Sequence, residues 1–164
     1  TTSLTNLDLH DIARAATTYA LSSYYLIQPI DSQRELMATL LAHWQTGFGA
    51  RYNPDREQAL SIVQILPQLE DAIADIEKRY GNRPRIIVTG ANLDQKITSY
   101  QAMRRLMAHE GGDYLLLFGT GYGLTKEITD MADFRLCPIY GRAGYNHLSV
   151  RSAAAIIFDR LLGE

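Results

Sequence analysis

Three loops rich in glycine and small polar residues, together with one arginine, carry the residue types of this chain that could do chemistry. The first loop is Thr89-Gly90-Ala91-Asn92, where small side chains let a backbone approach a ligand. The second is Phe118-Gly119-Thr120-Gly121-Tyr122-Gly123-Leu124, whose alternating glycines permit backbone angles and contact distances that side chains forbid. It reads G-x-G-x-G and comes late, whereas the dinucleotide fingerprint reads G-x-G-x-x-G after a first strand; no Gly-Lys-Ser/Thr follows to make a P-loop. The third runs from Cys137-Pro138-Ile139-Tyr140-Gly141 through Arg142 to Asn146-His147-Leu148-Ser149. Within it His147 is a candidate general base, and Asn146 or Ser149 a candidate cap for the helix that follows. Arg14, with His10 and Asp11 beside it, either pairs locally with Asp11 or reaches an anion.

These loops need a scaffold, and the hydrophobic pattern supplies one. Helices are expected over Asp8–Leu21 and about Ser32–Gln45, the latter with Leu36, Leu40, Leu41 and Trp44 on one face and Asp31 as its cap. A third begins near Pro67 with Leu69, Ile73, Ile76 and Tyr80 on its face and ends at Gly81. Two more lie at Ser99–Ala108 and Leu148–Leu162. Strands are expected at Ser22–Gln28, Ser61–Leu66, Arg85–Thr89, Tyr114–Phe118 and Phe134–Ile139, and residues 47–54 break the second helix. Repeated β-α units of this length predict an α/β fold with a parallel sheet covered by helices on both faces, and ligands at the carboxyl ends of its strands. No repeat, linker or low-complexity tract divides the chain, so a single domain over residues 1–164 is expected.

Composition narrows the partners. The 164 residues are 46% hydrophobic and 21% charged with a net charge of −2, which excludes disorder and a strongly basic nucleic-acid binder while allowing a local basic site. The sixteen basic residues are thirteen Arg and three Lys, a bias toward the planar fork that grips phosphate or carboxylate. A single cysteine, Cys137, excludes an internal disulfide and a Cys-rich zinc site, pointing to a reducing compartment and a cytoplasmic protein. No apolar run is long enough to span a membrane, no signal pattern opens the chain, and no acidic, histidine or cysteine cluster has metal-ligand spacing, so neither membrane nor metal is expected. The chain starts at Thr1 without a methionine, and an upstream segment is expected.

Taken in order, three motifs resemble the SPOUT (SpoU-TrmD) superfamily of knotted, S-adenosylmethionine (SAM)-dependent RNA methyltransferases over nearly the whole chain. Thr5-Asn6 followed by Ile12-Ala13-Arg14-Ala15-Ala16 is similar to the first motif, Leu115 to Leu124 to the second, and Cys137 to Gly141 with Asn146 to Val150 and Ala153 to Ile156 to the third. Within the superfamily the chain most resembles RNA methyltransferases that stand alone or are fused behind a tRNA guanine-N1 methyltransferase domain. The resemblance implies a trefoil knot in the C-terminal part, an exception to unknotted topology, and a homodimer acting on tRNA or rRNA. It implies SAM as cofactor, with S-adenosylhomocysteine (SAH) as product, held by Thr89, Gly90, Ala91, Phe118, Gly119, Thr120, Gly121, Cys137, Pro138, Ile139, Gly141, Asn146, Leu148 and Ser149. It makes Arg14, with Asn6 and His147, the catalytic candidates, and Arg14, Arg142 and Arg151 the substrate contacts, with Arg51 a further phosphate candidate.

The chain also departs from the SpoU pattern. Thr120 or Tyr122 stands where a glutamate is usual, Tyr145-Asn146-His147 where Ser-Leu-Asn is usual, and the strand that precedes the first motif in relatives falls upstream of Thr1. Two other readings therefore stand beside the enzyme. One is a non-catalytic SAM-binding and dimerisation module serving another RNA methyltransferase. The other is a nucleotide-using oxidoreductase of the doubly wound class, resting on the alternating architecture and the glycine run alone.

Overall fold

A computed structural model describes residues 5–45 and 54–164. The chain divides into two compact units, Ser3–Ala74 and Asp75–Glu164.

The first unit begins with α1, Asn6–Thr18. Its start is fixed by a capping box: the Thr5 hydroxyl accepts from the Asp8 amide at 3.2 Å, and Asp8 Oδ2 accepts from the Thr5 amide at 3.2 Å. The helix thus opens earlier than the expected Asp8, and it closes before Leu21 because Ala20 takes a positive φ of 56°. Next come β1, Tyr24–Ile27, α2, Asp31–Gln45, α3, Pro54–Leu60, β2, Val63–Leu66, and α4, Leu69–Tyr80, within which the division between units falls. β1 and β2 pair in parallel, Tyr24 opposite Val63 and Ile27 opposite Leu66. Leu9, Ala13, Leu26, Leu41, Leu60 and Val63 form the core.

Two face assignments change in the structure. Leu36 is exposed, and the buried stripe of α2 is carried by Met37 and Leu41. Tyr80, expected on the buried face of α4, is exposed, while Ile73 and Ile76 are buried as expected and Ala72 joins them. The expected helix break at residues 47–54 lies outside the described residues up to Asn53, and so does Arg51; Pro54 opens α3, placed as an early helix residue.

The second unit contains β3, Arg85–Val88, β4, Ile97–Thr98, α5, Tyr100–Glu110, β5, Tyr114–Leu117, α6, Lys126–Asp130, β6, Phe134–Leu136, and α7, Val150–Leu162. Its strands form a four-stranded sheet in the order β4-β6-β3-β5, with every pairing parallel. The single sheet expected from the alternation is therefore two sheets among the described residues, a pair and a quartet. β6 lies between β3 and β4, which are consecutive in the chain. Its entry is set by Asp133, whose carboxylate accepts from the Ile86 amide at 2.7 Å and whose own amide donates to the Ile86 carbonyl at 3.0 Å.

Both faces of the central strand β3 are buried, as a parallel sheet requires. Ile87 packs with Leu136 against Met103 of α5 and Ile157 and Leu161 of α7, while Ile86 and Val88 are buried on the other side. Arg160 of α7 lies over the Tyr100 ring of α5 at 5.0 Å, and Arg104 donates to the Gly163 carbonyl at 2.9 Å. Ser99 and Ser149 are caps, so α5 starts at Tyr100 and α7 at Val150; β6 stops at Leu136, before Cys137-Pro138.

Candidate functional site

Parallel pairing puts the carboxyl ends of β5, β3 and β6 at one edge of the sheet, and the three loops singled out in the sequence leave from those ends. Each is tied to its neighbours. Thr89 is buried, its amide donating to the Leu117 carbonyl at 3.1 Å and its hydroxyl to the same carbonyl at 2.8 Å. The Cys137 amide donates to the Thr98 carbonyl at 2.9 Å, and the Asn146 side chain donates to the Ala91 carbonyl at 3.0 Å, joining the third loop to the first.

The glycine loop after β5 closes on itself. The Gly123 amide donates to the Thr120 carbonyl at 2.5 Å, and Gly123 holds a φ of 75°. A Cβ on Gly119 would lie 2.3 Å from the Gly123 carbonyl carbon, so no side chain fits there. Gly119 is required by this close approach and Gly123 by its backbone angle. Gly123 was not among the site residues read from the sequence; the alternation of three glycines is the signal that points to it.

Phe118 is half-buried with its ring 5.9 Å from Phe158, edge to face, and Ile139 packs on the same core. Pro138 is buried and Cys137 half-buried. Gly90, Ala91, Gly121, Gly141 and Leu148 are exposed, and Thr120 is half-buried. The Ser149 hydroxyl serves α7, accepting from the Ser152 amide at 3.3 Å. His147 is exposed in the third loop with its ring 5.6 Å from that of Tyr145. Arg142 is exposed, and Arg151 is half-buried in the first turn of α7.

Asn6 and Arg14 belong to the first unit, where both are exposed on α1. His10, on the same helix, lies edge to face with Trp44 at 5.4 Å, and Arg56 covers the Trp44 ring at 4.7 Å. Burial, and after it the Arg56 charge, holds the His10 imidazole below its ordinary value of 6.5.

The donor set decides which ligands these loops suit. Residues 89–91, 118–123 and 137–141 contain no charged side chain, only backbone groups, hydroxyls, a thiol and apolar walls. A pyrophosphate wants a long helix opening directly from the glycine loop; here α6 has 5 residues, and the hydroxyl of its cap Thr125 already accepts from the Ile128 amide. The uncharged lining suits a neutral heterocycle such as the adenine of SAM, and the short α6 offers no seat for a pyrophosphate. Among the described residues no group of three or more His, Cys, Asp and Glu is placed to hold a metal ion, and no helix is long and apolar enough to cross a membrane.

Comparison with known proteins adds three findings. A family model described as SAM-dependent RNA methyltransferase matches residues 1–163. A tRNA (guanine-N(1)-)-methyltransferase of Oleidesulfovibrio alaskensis is 48% identical over 99% of this chain, which spans 37% of that protein; an uncharacterized protein of Aquifex aeolicus is 41% identical over 99% of this chain and 80% of its own length. In fold, the chain resembles the SpoU methyltransferase AviRb from Streptomyces viridochromogenes, solved in complex with the cofactor AdoMet, with a TM-score of 0.60 at 16% identity over 94% of this chain and 52% of that one.

Proposed function

The chain belongs to the SAM-dependent RNA methyltransferase family, and from that premise we propose that it transfers the methyl group of SAM to a base or ribose atom of RNA, tRNA or rRNA. The observation that carries the reading is the edge of the parallel sheet, where three uncharged loops leave adjacent strands and Asn146 ties two of them together. When bound, SAM supplies an electrophilic methyl on a sulfonium sulfur. Thr89, Gly90, Ala91, Phe118, Gly119, Thr120, Gly121, Cys137, Pro138, Ile139, Gly141, Asn146 and Leu148 are the residues to hold it, through backbone groups and apolar walls. Ser149 contributes through its backbone, since its hydroxyl is taken by the cap.

Methyl transfer to RNA needs the acceptor held in line and water kept out, so positioning supplies most of the help. Arg14, with Asn6 one end of α1 away, is the candidate to orient the acceptor or a neighbouring phosphate, and His147 the candidate to take a proton from it. Arg142 and Arg151 are candidates for RNA phosphates. The insertion of β6 between β3 and β4, together with the fold likeness, supports a trefoil knot in the C-terminal part. A single functional domain, drawn from the chain's length and the absence of a linker, a cytoplasmic location, drawn from the lone Cys137, and a homodimer, drawn from the family resemblance, complete the reading.

The test combines calorimetric titration of the chain with SAM, SAH and NADH and transfer of a labelled methyl group to bulk tRNA and rRNA. Selective binding of SAM and SAH with labelling of RNA is expected. A folded chain that binds neither overturns the reading, and binding without labelling replaces it with the cofactor-binding module. Arg14→Ala is expected to keep SAH affinity and to lose turnover by about a hundredfold or more; unchanged turnover removes Arg14 from the mechanism.

A further inference from the structure

The loops at the carboxyl edge of the four-stranded sheet carry tyrosines that the cofactor reading does not use. Tyr122, in the loop after β5, is 95% exposed; Tyr140 and Tyr145, in the loop after β6, are 68% and 71% exposed. Large aromatic rings so fully in water cost hydration free energy unless something covers them. β5 and β6 flank β3, so two steps of about 4.8 Å separate the roots of the two loops, about 10 Å in all. The rings thus spring from either side of the Gly90-Ala91 loop, which is the centre of the candidate cofactor site.

The two loops that carry these rings are themselves one-sided in charge. No carboxylate occurs from Tyr114 to Lys126, nor from Phe134 to Phe158, although the whole chain carries 18 acidic residues. The same stretches hold Lys126, Arg135, Arg142, His147 and Arg151. Lys126 pairs with Asp130, and Arg135 donates to the Thr129 carbonyl at 2.8 Å, so both serve the structure; Arg142 is exposed between Tyr140 and Tyr145. Two loops free of carboxylates that present exposed tyrosines together with an exposed arginine suit a polyanion that offers flat faces, with Asp94 the one acid of the intervening loop. A second protein chain would be met by mixed charge, whereas a nucleic acid strand with its bases unstacked offers phosphates and π-faces together.

We propose that Tyr122, Tyr140 and Tyr145 form a stacking platform, with Arg142 as its phosphate contact, for an unpaired stretch of RNA. This reading rests on the proposed RNA methyltransferase activity and sharpens it: the nucleotide to be modified lies in a single-stranded segment, since a paired base inside a duplex keeps its face covered and out of reach of the tyrosines. The phenol hydroxyls are dispensable for stacking, and the rings are not.

The experiment is fluorescence anisotropy with the full chain, saturated with SAH, against a labelled RNA strand of about 12 nucleotides and against the same strand annealed to its complement. The single strand is expected to bind tighter than the duplex. Tyr122→Ala, Tyr140→Ala and Tyr145→Ala should each weaken the single strand by about tenfold with the salt dependence unchanged, and the corresponding Phe variants should bind like the parent. Arg142→Ala should flatten the salt dependence by about one phosphate contact. Equal affinity for the duplex, or Ala variants that bind like the parent, overturns the platform while leaving the methyltransferase reading intact if the parent still labels RNA. Loss of self-association in the Ala variants, followed by sedimentation, assigns the tyrosines to a protein interface and overturns it too. Failure of the parent to bind or label any RNA overturns both.

Discussion

Gly119 is the position at which a single methyl group tests the site most directly. A Cβ there would lie 2.3 Å from the Gly123 carbonyl carbon and 2.6 Å from the Leu124 amide nitrogen, and both are backbone atoms that move only if the turn opens. Gly119→Ala is expected to destabilise the fold by about 1–3 kcal/mol and to weaken SAH binding more than Gly123→Ala, which meets no atom within 4 Å and carries only the strain of its φ of 75°. Thermal unfolding and calorimetry of the two variants check this; equal SAH affinities would show that the turn does not shape the cofactor site. His10 supplies a pH signature in the first unit. Its imidazole is held below 6.5 by burial and then by Arg56, so the fold favours the neutral ring. That contribution is complete above the unfolded value of 6.5 and is lost as pH falls through the folded value. Urea unfolding between about pH 7.5 and about pH 5 should show His10→Gln losing less stability than the parent.

At the level of elements, caps decide where helices begin. The hydroxyl of Ser149 is occupied by the Ser152 amide and lies 2.9 Å from the Ser152 hydroxyl. Ser149→Ala should cost about 1 kcal/mol of stability, while Ser149→Asp should retain most of it; a loss of SAH affinity in the alanine variant without a change in unfolding would return the hydroxyl to the cofactor. The same elements show what the sequence makes legible. The strands at Arg85–Val88 and Tyr114–Leu117 are short runs of Ile, Val and Leu bounded by polar residues and agree with the reading to within a residue. β4, only Ile97–Thr98, and α6, only five residues, are too short to show a period, and the structure adds both. Leu36 fails for another reason: on α2 the apolar residues Leu36, Met37, Leu40 and Leu41 offer two neighbouring stripes, and packing selects the one through Met37 and Leu41.

For the molecule as a whole, the alternation of strand and helix announces a parallel α/β chain but not how its strands are shared. Pairing is non-local, so nothing in the sequence distinguishes one sheet from the pair and the quartet that the structure forms. The glycine loops were legible because glycine spacing is local; the Asn146 clasp on Ala91 was not, since it joins residues 55 positions apart. A ligand that binds only the folded chain raises its stability by mass action, so SAH at about 100 times its dissociation constant should add about 2.7 kcal/mol. Circular dichroism during heating reads this as a rise of a few degrees, and an unmoved transition would contradict the proposed site. Trp44, the only tryptophan, belongs to the first unit, so its fluorescence follows that unit's unfolding separately.

The position of β6 has a consequence for how the protein is made. Synthesis makes β3, β4 and β5 ahead of β6, yet β3 and β4 join the same sheet only through β6. Until β6 emerges, the edge of β3 that it will cover is open, the arrangement most exposed to mispairing with another nascent chain. The order of the strands therefore makes completion of this sheet wait for β6, with helix α7 arriving behind it to cover the Ile87 and Leu136 face.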